Sequence, residues 1–302
     1  MDNVLVTGGS GFIGTRLKKI KPNWTFISSK DCDLTNAFEV RELFKKYSSL
    51  EAVVHLAGIV GGIKKNAEQQ AEFFYKNVMM NTNVVHEAWN AGVPRLLASL
   101  STCAFPDVAA HYPFKEENLF DGPPAITNFS YGYTKRALQV QIASYKKQYG
   151  VNYSTFCPSN VYGIGDTFNS YDSHFVPALI LKLAIAKNGD TLEFWGTGNP
   201  LRQQLYVEDL VEIVPLLLKK HNSASPLIVA PYENLRISEM IEIALNISQK
   251  DVNIVYNNKL DGQYRKDGSN EKLINLINNY DFTKFKDGFK KTYEWYTGGQ
   301  LN

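Results

Sequence analysis

The chain is poor in the features that would tie it to several common classes of protein. It has three cysteines, Cys32, Cys103 and Cys157, an odd number without a CxxC pair. A disulfide framework or a zinc site is therefore not expected, and a reducing compartment suits such a composition. No apolar run reaches the roughly 18 residues that a membrane-spanning helix needs, and no signal or transit peptide is read at the N-terminus, where Met1 leads directly into a strand-like NVLVTG. Neither charge sign is in excess: 32 basic and 30 acidic residues give a formal net charge of +2, so no polyanion-binding face and no nucleic-acid partner are expected. Internal repeats and low-complexity segments are absent. The composition is that of a cytoplasmic globular protein, and 302 residues with 44% hydrophobic content suffice to enclose a cleft within one chain.

Short β-branched or apolar runs alternate with longer helical stretches over the first 160 residues, the pattern of a parallel sheet with crossover helices. Strands are predicted at 4–6, 25–28, 52–55, 95–99 and 153–157, and helices at 12–19, 68–91 and 131–149. Beyond Asn160 the order loosens into Gly-, Asn- and Asp-rich connections. Helices are predicted there at 176–186, 207–220, 238–247 and 285–295, and strands at 191–194, 227–229 and 253–256. The fold class expected is α/β: a doubly wound parallel sheet of Rossmann type with a smaller C-terminal α/β substrate domain. Residues 1–160, completed by part of 206–230, form the dinucleotide domain in this reading, and 161–205 with 231–302 form the substrate domain.

Gly8-Gly9-Ser10-Gly11-Phe12-Ile13-Gly14 carries the spacing G-x-x-G-x-x-G directly after a predicted strand and at the start of a helix. Gly8 suits the tight turn, Gly11 the approach of a pyrophosphate, and Gly14 close packing of helix on strand, with the helix N-terminus facing the phosphates. An acid at the end of the second strand would favour NAD by binding the ribose 2′-hydroxyl. Here the stretch reads Ser28-Ser29-Lys30, two hydroxyls and an ammonium, which favours the 2′-phosphate of NADP, although Asp31 follows at once.

Tyr131 and Lys135 stand at i and i+4, on one face of a predicted helix. An ammonium beside a phenol favours the phenolate, so the pair is expected to bring the tyrosine towards proton exchange near neutrality. Upstream, Ser99-Leu100-Ser101-Thr102-Cys103 follows a strand whose carboxyl end should open on the cofactor crevice, which makes Ser101 a partner for the same substrate oxygen. A Tyr-x-x-x-Lys spacing by itself is common on helices; its position after the fourth strand gives it weight.

With these residues in place the chain resembles the extended short-chain dehydrogenase/reductases and, within them, the GDP-L-fucose synthases, the epimerase-reductases of GDP-4-keto-6-deoxy-D-mannose. The segments SSKDCDLTN, VVHLAGIVGGI, LSTCAFP, GPPAITNFSYGYTKR, PSNVYG, SHFVPALI, WGTGNPLRQQLYVEDL and DGQYRKDGSNEKL carry the resemblance nearly end to end. IVGGI and STCAFP are the most specific, since the wider superfamily does not share them.

The resemblance implies a reductase triad of Ser101, Tyr131 and Lys135 and an epimerisation acid/base pair of Cys103 and His174. It implies that NADP is held by Gly8, Gly11, Phe12, Ile13, Gly14, Ser28, Ser29, Lys30, Leu56 and Ala57, by Pro158-Ser159-Asn160-Val161, and by Tyr131, Lys135 and His174. It implies GDP-sugar contacts from Lys182, Trp195, Arg202 and Lys266, with Lys182 offering a point charge where relatives can carry the fork of an arginine. A homodimer formed through the helices at 68–91 and 131–149 is a further implication. The chemistry is coherent, because a 4-ketone acidifies C3 and C5, and a thiol and an imidazole exchange protons readily near pH ~7. Two other functions share many of these residues: a GDP-keto-hexose or -heptose 4-reductase without epimerisation, and a non-catalytic NADP-binding regulator. Retention of Cys103 and His174 argues against the first, and of Tyr131 and Lys135 against the second.

Overall fold

The computed structural model describes residues 1–61, 65, 68–169, 173–259 and 261–298; Gly62 and Ile63 of the IVGGI segment lie outside them. Its centre is a parallel sheet of six strands: β1 (Val4–Thr7), β2 (Thr25–Ile27), β3 (Ala52–His55), β4 (Arg95–Ser99), β5 (Asn152–Pro158) and, much later in the chain, β10 (Leu227–Val229). The spatial order is β2-β1-β3-β4-β5-β10, with Val6 opposite both Phe26 and Val54, and Ile228 opposite Cys157. Such strands are buried on both faces, which is why VLVT and AVVH read as continuous rather than alternating apolar runs.

Helices cover both faces. On one side lie α2 (Ala37–Lys46), α3 (Gln70–Asn90) and α4 (Phe129–Tyr149), whose Val40, Phe44, Val84, Val85, Leu138 and Ile142 pack on Leu5, Val53 and Leu96. The other side holds α1 (Phe12–Ile20), α6 (Val207–Lys220) and α8 (Glu271–Ile277), with Leu17, Leu210, Leu217 and Leu273 against Val4, Val6 and Leu97. Truncating one such leucine to alanine costs about 2–5 kcal/mol, so both layers hold the sheet firmly.

The chain leaves this sheet after β5. Short strands β6 (Asn160–Tyr162) and β9 (Gln204–Tyr206) pair in parallel, as do β7 (Thr191–Phe194) and β12 (Asn253–Tyr256), while β8 (Leu201–Arg202) pairs antiparallel with β11 (Leu235–Arg236). With α5 (Phe175–Ile185), α7 (Ile237–Ser248) and α9 (Phe285–Tyr296) they enclose a separate core of Tyr162, Leu179, Phe194, Tyr206, Met240 and Phe289. Among the described residues no helix is long and apolar enough to cross a membrane.

The sheet order reverses at β1. The chain passes from β1 outwards to β2, then crosses back to β3 on the other side, so no connection covers the carboxyl ends of β1 and β3. A crevice opens there, and ligands of doubly wound folds bind at such a switch point.

Candidate active site

The turn after β1 is shaped by contacts that leave no room for side chains. Gly8 has φ +76°, and a Cβ there would lie 2.8 Å from the backbone nitrogen of Ala57; one on Gly14 would lie 2.2 Å from the Gly8 carbonyl oxygen. The turn is therefore pressed against Leu56 and Ala57 at the end of β3, while the Gly9 amide donates to the Ile27 carbonyl at 2.7 Å and ties it to β2. Gly11 caps α1 without a side-chain acceptor, which leaves the helix N-terminus of Phe12 and Ile13 to an anion. Across the crevice, at the end of β5, the buried Ser159 hydroxyl has no protein partner among the described residues. A glycine-only cradle, an uncapped helix N-terminus and an orphaned hydroxyl fit a dinucleotide.

Beneath this turn a network forms that sequence reading missed. His55 of β3 sits 2.7 Å from the Thr7 hydroxyl through Nδ1 and 3.0 Å from Asn81 Oδ1 through Nε2. Burial, and then the charge of Lys135, push the imidazole down to about 4, so it is neutral. Asn81 Oδ1 then accepts from Nε2–H, and Nδ1 accepts from Thr7. The network locks β1 to β3 at the crevice floor. Its one sequence signal was a histidine inside an otherwise apolar strand.

The turn after β2 differs from expectation in its detail. Asp31 Oδ2 accepts from the Ser28 hydroxyl at 2.7 Å and from the Ser28 amide at 2.8 Å, and these bonds hold the carboxyl below its ordinary range. The Ser28 hydroxyl proton, expected to face a 2′-phosphate, is thus committed to Asp31. Ser29 and Lys30 are exposed in the same turn.

Further along the sheet edge, Ser101 accepts from the Cys103 amide at 3.2 Å and caps a short 3-10 turn, Thr102–Ala104. Arg136 of α4 donates to the Ala104 carbonyl at 2.7 Å and fixes that helix against the turn. Tyr131 and Lys135 come together on this face, with the ammonium 5.6 Å from the phenol ring centre and donating to the Ser99 carbonyl at 2.8 Å. One expectation needs correction. Burial, joined by the charge that a deprotonated Cys103 would carry, drives the Tyr131 phenol well above its ordinary value, and the neighbouring Ser101 hydroxyl opposes this only in part. Burial also lowers Lys135 to about 8. The nearby ammonium does not bring the tyrosine to neutrality; the phenol rests protonated, the form a general acid must start from.

Cys103 lies beside this triad. Burial alone would raise its thiol, but the charge and hydrogen bond of Lys266, a hydrogen bond with Ser101 and the charge of Arg202 outweigh it and lower the thiol. Lys266, expected among the nucleotide contacts, donates to Cys103 Sγ at 3.0 Å. His174 stands at the N-cap of α5, exposed to solvent yet walled by protein on its other sides; this environment, then Lys266, lowers its imidazole.

The loop that carries Lys266 is held from several directions. Gln263 donates to the carbonyls of Pro106 and Asp107 at 3.1 and 2.8 Å, and Asp267 pairs with Arg265 at 2.6 Å while its carbonyl accepts from the Phe114 amide at 2.9 Å. Buried Gln203 donates to the carbonyls of Pro231 and Gly268 at 2.9 and 3.2 Å and accepts from the Gly268 amide at 2.9 Å. Neither glutamine stood out in the sequence.

Arg202 joins the Cys103 group electrostatically and donates to its neighbour's carbonyl, that of Leu201, at 2.8 Å. Lys182 belongs to a different wall: it donates to the Glu193 carbonyl at 2.6 Å, 5.0 Å from the Phe194 ring centre, beside Trp195, which is 69% exposed. A further acid, Asp166, emerged between β6 and α5. Burial raises it to about 7 against a hydrogen bond that the Thr167 amide donates to its Oδ1 at 2.7 Å.

Comparison with known proteins bears on this cleft. Residues 4–230 match the NAD dependent epimerase/dehydratase family. A GDP-L-fucose synthase of Dictyostelium discoideum is 37% identical, over 97% of this chain and 94% of that protein. The crystal structure of a GDP-L-fucose synthetase from Naegleria fowleri bound to NADP superposes with a TM-score of 0.88 at 32% identity, covering 98% of this chain and 94% of the other. A GDP-6-OMe-4-keto-L-xylo-heptose reductase from C. jejuni superposes with a TM-score of 0.91 at 25% identity, covering 98% of both chains.

Proposed function

Because the chain belongs to the NAD dependent epimerase/dehydratase family and, within it, to the GDP-L-fucose synthases, we propose that it converts GDP-4-keto-6-deoxy-D-mannose to GDP-L-fucose by 3,5-epimerisation and NADPH-dependent 4-reduction. The observation that carries this reading is Ser101. Its hydroxyl accepts from the Cys103 amide at 3.2 Å and lies close enough to the Tyr131 phenol to oppose the rise that burial imposes on it, so two sets of proton-transfer groups meet at one oxygen.

In this reading Cys103 removes the C3 or C5 proton: an S–H bond forms, the C–H bond breaks, and the electron pair passes to an enolate on the 4-keto oxygen. His174 delivers a proton to the opposite face. Burial first, and Lys266 second, keep the resting imidazole neutral; it takes up a proton from solvent when the negative diphosphate of the substrate offsets the charge of Lys266, and that imidazolium is the donor. Bound NADPH supplies the hydride that reduces C4. Tyr131 gives its proton to O4, Ser101 orients that oxygen, and Lys135 stabilises the phenolate left behind. The Gly8–Gly14 turn, Leu56, Ala57 and Pro158–Val161 hold the dinucleotide, with Ser29 and Lys30 facing its 2′-phosphate. Lys182, Trp195, Arg202 and Lys266 are the contacts of the GDP-sugar.

Two cores support the division of labour. β10 pairs with β5, which supports residues 1–160 and part of 206–230 as the dinucleotide domain; of the expected substrate domain, 161–205 and 231–302, α5, α7 and α9 surround the second core, whereas α8 with Leu273, Ile277 and Phe282 packs on the central sheet instead. α3 and α4 leave Phe74, Tyr75 and Val140 exposed, an apolar face suited to a homodimer in the cytoplasm. Size-exclusion chromatography with light scattering tests the dimer.

The decisive experiment is NMR analysis of the product made from GDP-4-keto-6-deoxy-mannose and NADPH. GDP-L-fucose is expected. A directly reduced sugar, with no solvent deuterium at C3 or C5, would replace the proposal with a simple 4-keto reductase, and no NADPH oxidation at all would leave a cofactor-binding regulator.

A further inference from the structure

We propose that Lys266 is the positioning residue of Cys103: an ammonium on the 261–268 loop that touches the sulfur directly, favours its thiolate form and so equips it as the base. The inference rests on the reading of Cys103 as the epimerisation base. Sequence resemblance assigned this lysine to the nucleotide; the geometry assigns it first to the thiol.

The contact is a charge-assisted one, Nζ to Sγ at 3.0 Å, between groups 163 residues apart in sequence. A side chain that reached the sulfur by chance would sit on a mobile loop. This loop is pinned on both sides of Lys266, by Gln263 to the Pro106 and Asp107 carbonyls and by Asp267 and Gly268 to Phe114 and Gln203.

The other groups facing the sulfur do not supply the same charge. Ser101, on the same turn, is a neutral hydroxyl. From α4 comes Tyr131, and from β5 comes Cys157, both raised by burial and therefore protonated. His174, beyond Lys266, is neutral, and Asp267 is taken up by Arg265. Arg202 on β8 adds positive charge, but its hydrogen bond goes to the Leu201 carbonyl. Without a cation, a thiol of ordinary pKa ~8.5 is only a few per cent thiolate at neutral pH, and burial makes it less. One cation in contact moves a pKa by about 1–3, enough to raise that fraction severalfold or more.

The test is the pH dependence of iodoacetamide alkylation at Cys103 in the intact enzyme without substrate, read by mass spectrometry of the modified peptide, with buried Cys32 and Cys157 as internal references. Wild type is expected to show a midpoint below the ordinary thiol value of ~8.5. In Lys266→Met and Lys266→Gln the midpoint should rise by about one pH unit or more, and Lys266→Arg should return it towards wild type. A wild-type midpoint at or above the ordinary value overturns the proposal without any variant, as does an unmoved midpoint in the folded neutral variants. Exchange of C3 and C5 protons in deuterated water separates this from failure of the functional reading. Wild type that alkylates as expected but exchanges neither proton removes the epimerase and leaves the ion pair standing.

Discussion

The glycine turn after β1 and the cluster around Cys103 line one cleft but are built by opposite means. The turn is contiguous, its shape dictated by backbone pressed on backbone, with Gly14 against Gly8 and Gly8 against Ala57. The cluster gathers Cys103, Tyr131, His174, Arg202 and Lys266 from separate segments, and side chains hold it together. A backbone site tolerates almost no added volume. A side-chain site tolerates changes of shape far better than changes of charge. In the proposed function the first holds a ligand whose geometry is constant, and the second adjusts the protonation of groups that must give and take protons.

The largest expected effect tests the steric half of this contrast. Gly14→Val should abolish measurable NADPH binding in a fluorescence titration, because even a Cβ there would overlap the Gly8 carbonyl. Retained affinity would show that the turn can shift, and the contrast would break. Next comes Tyr131→Phe, which removes an acid without changing shape. NADPH oxidation should fall by about 10²–10⁴-fold with cofactor affinity near wild type; loss of affinity as well would mean that the phenol is part of the binding surface.

A pH profile sharpens the side-chain half. Burial lowers Lys135 to about 8, so its ammonium is present below that pH and lost above it. The rate of reduction, as kcat/KM, should therefore decline about tenfold per pH unit above the mid-8 range, and Lys135→Arg, whose charge persists, should flatten the decline. A decline that is unchanged in the arginine variant would assign it to another group. The linked stability has the opposite slope. The unfolded lysine retains its proton up to ~10.4 while the folded one releases it near 8, so resistance to urea should rise with pH across that window.

The smallest effect concerns Arg202→Ala, expected to raise KM for the GDP-sugar by about tenfold with a lesser change in kcat, as for loss of one charge-assisted contact worth about 1.5 kcal/mol. Steady-state kinetics read it directly. An unmoved KM would place the nucleotide away from the Cys103 side of the cleft.

Much of the dinucleotide half was legible because its signals are local. Strands at 4–6, 52–55 and 95–99 matched observed elements within a residue, and the strand-turn-helix order alone put Gly8–Gly14 at the switch point. α2 was overlooked although Asn36, whose side chain accepts from the Phe38 and Glu39 amides, and Glu39 mark its start. β6, β8 and β9 were missed for a physical reason: two or three residues have no periodicity, and their pairing depends on partners about 33–44 residues away. Of the site, Tyr131 with Lys135 was readable as an i,i+4 pair. Resemblance named Cys103 and Lys266 separately, yet their contact depends on how the C-terminal loop docks, which no local pattern encodes. The Asp31–Ser28 bonds escaped notice for the converse reason, since every residue of that turn was seen but not the direction its side chains would take.

The distance along the chain between Cys103 and Lys266 also has a consequence for biosynthesis. Translation proceeds at about 5–20 residues per second, so the 163 residues between them separate their emergence from the ribosome by on the order of ten to thirty seconds. Throughout that interval the first strands can pair while the thiol is still that of an ordinary, weakly reactive cysteine. In the proposed reading the base is armed only when the last part of the chain closes over it, and a nascent or truncated polypeptide is spared a reactive sulfur that it cannot yet shelter.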